Sequence, residues 1–432
     1  MKTLINARIY DHENYIENGY VTFDKTIQSV GPMKDFVAND ETIIDVNGDL
    51  LIPSFVTMHT HVYSTFARGL SLPFKPDDFL DILKQMWWKI DAHLTRDMIY
   101  HSAIVSAAEH ALHGVTTMFD HHASKNTEGS LDMLKKGIVD TVGLRGAFCF
   151  ETSDRFNVDE CIDENLHGIK TFNDTSSQAY FGLHASLTLS DDTLGKVASV
   201  FDENPIHIHV AESEMDQTDA KVKSGMRAVE RLEKHGLIRP GSLIVHGLYL
   251  DDVELDILKK RDAVVVLNPS SNMNNGVGLP LGTILKRKGI RMVLGNDGLS
   301  PSVADGFKTL HEAMHLKDKS PNHFNLDDIQ NMIKTSYTVT NEAFSINTGK
   351  ISEGYEADLL TIPYSPPTPM NRDNAFAHLY YGLFHAFKPN RVFAGGRQIV
   401  RDYKLVDNLQ KKVLNAQKSA QSLWDGIGKE ET

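Results

Sequence analysis

The sequence predicts an α/β chain: a (β/α)8, TIM-like barrel carrying a small composite β-sandwich domain assembled from both termini. Three observations predict it. From residue 51 onward, eight apolar strand-like segments alternate with amphipathic helical stretches, and strands buried on both faces read as such near-continuous apolar runs. Eight units over about 300 residues suit a barrel with insertions. On either side the pattern changes to short alternating strands: LINARIY, YVTFDKT and TIIDV early, EADLLTIPY and RVFAGGRQIVRDYKL late. A doubly wound open sheet is the structural alternative that pattern alone leaves standing.

The eight segments are LIPSFVTMHTH (51–61), GVTTMFDHH (114–122), VGLRGAFCF (142–150), AYFGLHASL (179–187), PIHIHVAE (205–212), SLIVHG (242–247), AVVVLNPSS (263–271) and RMVLGND (291–297). Stretches such as DMIYHSAIVSAAEHALH and VELDILKKR supply the helices between them. The expected division is residues 1–50 with 350–405 as the β domain and 51–349 as the barrel. A helical tail at 406–432 is marked by the spacing of Leu409, Val413, Leu414 and Leu423.

Composition narrows the function classes. The 432 residues carry 44 Lys and Arg against 57 Asp and Glu, a net charge of −13, with 41% hydrophobic residues. An acidic excess without a basic run excludes nucleic acid and anionic lipid as expected partners, since both reward clustered cations. Two cysteines, Cys149 and Cys161, form no disulfide framework and no paired-thiolate metal pattern, which suits a reducing compartment. The opening MKTLINARIYDHEN has no long apolar core, and nowhere do 18 apolar residues run together. A soluble, cytoplasmic protein is expected.

Chemistry-bearing residues gather where the predicted strands end, and in a parallel barrel those ends share one rim. The first strand closes with His59 and His61, which lie on one face at i and i+2. The fifth carries His207 and His209, followed by Glu212; the sixth ends in His246 and the eighth in Asp297 within GNDG. Neutral imidazoles with one carboxylate form a borderline ligand set for Zn, Fe or similar ions with room for a water. Each fragment has a bland alternative: an incidental HxH, a buried core histidine, an Asp-Gly turn. Their joint order along one rim favours the metal centre.

PSFVTMHTH, HIHVAES, IVHG, NPSSNMNNGVG and LGNDG together resemble the amidohydrolase superfamily over nearly the whole chain. The flanking strands, with GKISEGYEADLLTI and VFAGGRQIV, look like that family's split β domain. HTHVYSTFARGL, DHHAS and LHASLTLSDDTL are most similar to the SsnA-type aminohydrolases, near the guanine, cytosine and S-adenosylhomocysteine deaminases and the triazine hydrolases. The resemblance implies His59, His61, His209 and Asp297 as metal ligands, with Glu212 and His246 as catalytic partners. Binuclear members bridge two ions with a carboxylated lysine on the fourth strand. Here that strand offers His184 and no lysine, Lys170 and Lys196 lying outside it. One divalent ion is therefore expected, zinc first, with iron or manganese as alternatives.

In the expected chemistry the ion lowers the pKa of a bound water to about 7. Asp297 takes the water's proton, Glu212 carries a proton to the ring nitrogen and the leaving amine, and His246 polarises the substrate from the facing side. HExxH metallopeptidase chemistry is excluded, because IHIHV is apolar and β-branched rather than helical. Gly276-Val277-Gly278 is no dinucleotide fingerprint.

On the substrate side, His184 is expected to hydrogen-bond a ring edge. His122 shares parity with Asp120 and is placed at the barrel mouth, with a structural role as the alternative. Asn272 either contacts substrate or orders its loop. Trp87 or Trp88 could cover a flat ring, but adjacent helical aromatics do not share a face, so at least one is expected to pack. The function expected is a mononuclear metal-dependent aminohydrolase that releases ammonia from an N-heterocyclic amine, purine-like compounds leading. Alternatives are cleavage of a cyclic amide or another ring leaving group, and a catalytically silent binding protein. A small-molecule heterocycle is the expected partner, in a homo-oligomer of two or more chains.

Overall fold

The computed structural model describes residues 1–201, 203–298 and 300–430. Eight parallel strands form the barrel: β1 (Phe55–Thr60), β2 (Val115–His122), β3 (Arg145–Phe150), β4 (Phe181–Ala185), β5 (Ile206–Val210), β6 (Leu243–His246), β7 (Val264–Leu267) and β8 (Arg291–Leu294). β1 to β3 pair in one run and β4 to β8 in another. Single parallel bridges, Thr152 to Leu183 and Thr60 to Asp297, join the two runs and close the ring. The barrel fold expected from the alternating pattern is thus present.

Val264, Val265 and Val266 are fully buried, as are Leu243, Ile244 and Val245. Both faces of these strands are covered, which explains their unbroken apolar text. The helix Arg96–Leu112 follows the amphipathic stretch read from sequence, its first turn capped by Thr95, whose hydroxyl accepts from Met98 N–H at 3.3 Å.

The flanking strands form one nine-stranded sheet, five from the N-terminal segment and four from Leu359–Ile362 to Lys404–Leu405. Its first strand, Lys2–Tyr10, is a corner: the early half pairs with Thr42–Asp45 and the later half with Leu50 and Leu51. The two wings enclose their own core, where Leu4, Val21 and Phe23 meet Leu359 and Phe393. Burying each such side chain contributes about 1.5–3 kcal/mol. Arg145, at the start of β3, is buried and ties barrel to sheet, at 2.6 Å from Asp358 and 3.1 Å from Glu356.

Several boundaries differ from the sequence reading. The first predicted strand is two: Leu50–Pro53 pairs with Leu359–Ile362 in the flanking sheet, and only Phe55–Thr60 enters the barrel. Pro53, lacking an N–H, ends the first ladder. The seventh segment stops at Leu267, because Pro269 opens a helix, Pro269–Asn274, which carries Asn272. The tail forms helices Asp407–Ala416 and Lys418–Glu430. Leu409, Val413 and Leu423 are buried there while Leu414 is exposed. Trp424 donates to the Phe66 carbonyl at 2.7 Å, pinning the tail beside the segment that follows β1.

Candidate metal and acid–base site

Strand ends bring the rim residues together. β1 presents His59 and His61 inward, two residues apart. β5 brings His209, whose Nε2 lies 3.3 Å from Nε2 of His59 and 3.2 Å from Nε2 of His61. Asp297, three residues beyond β8, sets Oδ1 3.7 Å from His59 Nε2 and 3.4 Å from His61 Nε2. Donors bound tetrahedrally at 2.0–2.1 Å stand roughly 3.3 Å apart, so this donor set fits one divalent cation. Gly295 makes the approach of β8 to β1 feasible, since a Cβ there would fall 2.9 Å from Cβ of His59.

The second nitrogen of each imidazole is tied away from the centre. His61 Nδ1 donates to the His121 carbonyl at 2.6 Å, and His209 Nδ1 to the His184 carbonyl at 3.1 Å. His59 Nδ1 pairs with His207 Nε2 at 2.9 Å. These bonds turn every Nε2 inward as a lone-pair donor. Of the two β5 histidines, then, His209 faces the centre and His207 supports His59 from below. Burial, and then the neighbouring His59, lower the pKa of His61 to about 4. Burial likewise keeps His209 neutral.

Glu212 and His246 stand beside this set. His246 Nε2 is 3.3 Å from Glu212 Oε2 and 3.9 Å from Asp297 Oδ2. Its Nδ1 accepts from Asn272 Nδ2 at 2.8 Å, which fixes the proton on Nε2. His246 and Asp297 both sit in the left-handed region, at φ 73° and 53°. Such backbone costs on the order of 1–3 kcal/mol per residue and turns each side chain across the mouth. Burial, then Asp297 and Asp216, push the Glu212 carboxyl well above its ordinary range. Burial also acts against ionisation of Asp297, but contact with His59 and the field of His246 and His61 outweigh it and hold that carboxyl low. One carboxyl thus carries a proton beside another that is charged.

A cavity opens above, bordered by His184, Glu212, His246 and Asp297, with Trp87 and Trp88 on its outer wall. His184 lines it. His122 does not: its Nε2 bonds Ser124 at 3.1 Å. His121 takes the inward position instead, its ring 4.5 Å from that of His209. The strand pleat separates the pair: His121 turns toward His209, and its neighbour His122 turns to the opposite face. Asn272 stands behind His246, not among the lining residues. Both tryptophans border the cavity, and Trp87 also packs against the hydrophobic core, as expected of at least one of the pair. Leu83–Trp87 is a π-helical turn, which spreads a turn over more residues and brings neighbours closer in angle.

Sequence reasoning missed a polar wall. Glu151, one residue past β3, is 3% exposed. Asp91 pairs with Arg155 at 2.5 Å, and the guanidinium lies 4.6 Å from the Trp88 ring centroid. The signal was a charged residue ending an apolar strand, the same signal that marked His246. A lone glutamate or arginine after a strand is too common to stand out.

Residues 50–399 match the profile of the Amidohydrolase family. A 5-methylthioadenosine/S-adenosylhomocysteine deaminase of Thermococcus sibiricus is 29% identical over 387 residues, 87% of each chain. A 5'-deoxyadenosine deaminase of Methanothermobacter thermautotrophicus is 29% identical over 394 residues, 88% of each. Among solved structures, an adenosine deaminase from Xanthomonas campestris with bound zinc superposes at a TM-score of 0.83, with 19% identity and 98% of each chain covered. The atrazine chlorohydrolase TrzN of Arthrobacter aurescens, complexed with zinc, superposes at 0.81, with 17% identity over 98% of this chain and 100% of the other. These structures share the fold. With the profile spanning the whole barrel and the strands that adjoin it, residues 50–399 of 432, the chain belongs to the amidohydrolase family.

Proposed function

We propose that the protein is a mononuclear metal-dependent aminohydrolase that replaces an exocyclic amine on a purine-like N-heterocycle with a carbonyl, releasing ammonia. His59, His61, His209 and Asp297 would hold the ion, with zinc favoured by three imidazoles and one carboxylate in tetrahedral spacing. When bound, a divalent ion supplies the Lewis acidity that makes a water molecule nucleophilic near neutral pH.

The protein's own groups supply the proton traffic. Asp297, ionised at the open side, accepts a proton from water. Glu212, held protonated, donates to the ring nitrogen beside the reacting carbon, relays the proton held by Asp297 to the departing amine, and recovers its own from the hydroxyl that becomes the carbonyl. His246, with its proton fixed on Nε2 by Asn272, donates to the oxygen that becomes the carbonyl. The observation that carries the reading is the contact of His246 with both Glu212 and Asp297 next to the ligand set. The names of the deaminase relatives favour a purine-like ring.

The test is ammonia release by zinc-loaded protein from a panel of aminated purines, pyrimidines and pterins. Glu212→Gln is expected to retain zinc and lose about 10²–10⁴-fold in kcat. Loss of ring absorbance without ammonia would point instead to cleavage of a cyclic amide, and unchanged turnover in the variant would remove Glu212 from the proton path.

A further inference from the structure

Building on that reading, we infer that Asp216 is a positioning residue for the reaction: it clamps the turn that carries Glu212 to the end of β4 and so holds the Glu212 carboxyl against His246. Glu212 stands two residues past the end of β5, so no strand ladder fixes its direction.

Asp216 lies in the first turn of the helix Glu214–Ser224, three residues after its N-cap, Ser213. An acid at that position can turn back and accept from the N-cap N–H, closing a capping box. Here the box is not made: Ser213 forms no side-chain cap bond, and its hydroxyl has no hydrogen-bond partner among the described residues. The Asp216 carboxylate reaches past the helix instead. Oδ2 accepts from the Ala211 N–H at 2.6 Å, and Oδ1 accepts from the Leu187 N–H at 3.0 Å. The residue is 2% exposed, so both bonds are shielded from water, where they are strongest.

Ala211 immediately precedes Glu212, and its φ is 52°. A residue with a Cβ keeps such backbone only where its surroundings hold it there. Asp216 takes its N–H, and its carbonyl accepts at 3.0 Å from the N–H of Leu248, two residues after His246. The Glu212 turn thus hangs between the ends of β4 and β6. The end of β4 has further holds. Lys223 Nζ donates to the Leu187 carbonyl at 2.9 Å, and Arg231 donates to the Ser186 and Leu189 carbonyls at 3.1 and 2.8 Å. Loss of the Asp216 carboxylate should therefore free the Glu212 turn and leave His184 in place. Glu212 Oε2 lies 3.3 Å from His246 Nε2, and misplacing a reacting group by about 1 Å costs about 10²-fold in rate. With both oxygens committed to main-chain N–H groups, Asp216 acts through Glu212 and not on substrate.

The experiment joins crystal structures of zinc-loaded Asp216→Asn and Asp216→Ala to steady-state kinetics of ammonia release. Asparagine keeps the shape but sets a donor against one of the two N–H groups; alanine removes both acceptors. Each variant is expected to fold, to hold zinc and to show the Glu212 carboxyl moved by about 1 Å or more. Its kcat should fall roughly ten- to a hundredfold, with KM unchanged within about threefold. Because Asp216 acts through Glu212, adding Asp216→Asn to Glu212→Gln should lower kcat by less than about a further threefold. A Glu212 that keeps its place in both variants overturns the inference. So does an equal loss with and without Glu212, or a loss confined to KM. Failure of both variants to fold or to hold zinc also overturns it, since Asp216 would then serve the scaffold at large. If no aminated heterocycle releases ammonia, the deaminase reading fails and the crystal structures still decide the clamp. Ammonia release by the wild type, with Glu212 unmoved in the variants, does the reverse.

Discussion

Replacing Glu151 with glutamine should flatten part of the pH dependence of stability. Burial, opposed by Arg155 and reinforced by Asp91, raises the Glu151 pKa from its ordinary 4.5 to about 8. The folded chain therefore binds this proton more tightly than the unfolded chain. The stability so contributed is fully present below pH 4.5 and is lost as pH rises through about 8. At 1.36 kcal/mol per pKa unit, the loss is on the order of 5 kcal/mol. An unfolding entropy of about 2.1 cal/mol/K per residue gives a chain of this length about 0.9 kcal/mol/K, so the loss appears as roughly 5 °C. Glutamine matches the neutral acid in shape and does not titrate. Melting curves of chelator-treated wild type and Glu151→Gln between pH 5 and pH 9 provide the assay. Wild type should lose about 5 °C more than the variant over that range; parallel curves would refute the burial argument.

Other perturbations have equally definite outcomes. Arg145→Met strands the buried Glu356 and Asp358 and should cost about 3–5 kcal/mol, read as a lower Tm that added Glu356→Gln and Asp358→Asn substitutions partly restore. Asn272→Leu removes the bond that fixes the His246 proton. It should lower kcat about tenfold, the worth of one such bond, with zinc content unchanged. Removing zinc with a chelator should abolish turnover. At a free-zinc concentration a thousandfold above Kd, re-addition should raise Tm by roughly 4–5 °C, corresponding to about 4 kcal/mol.

Local chemistry explains which parts of this were legible. IHIHV and RMVLGND announce parallel strands because aliphatic residues dominate each run and the polar ones either end it or recur at a period of two. His59 and His61 share a face because strand geometry has a period of two. The same period, applied to Asp120 and His122, chose the wrong histidine. Parity fixes which residues share a face but not which face looks inward, and the barrel turned His121 to the centre. That Trp87 both packs on the core and shares the cavity border with Trp88 was not legible, because the π turn Leu83–Trp87 alters the angle between them.

The sequence by itself determined the alternation of strands and helices, the flanking β segments and the order of the rim histidines and aspartate. All of these follow from periodicity and from what immediately ends each apolar run. Only the tertiary structure decided that His207 supports His59, that Asn272 orients His246, and that Glu151, Asp91 and Arg155 build one wall. Those relations join residues tens to hundreds of positions apart, and ring closure sets their distances. A side chain's partner across a barrel depends on strand tilt and register, which no single segment encodes.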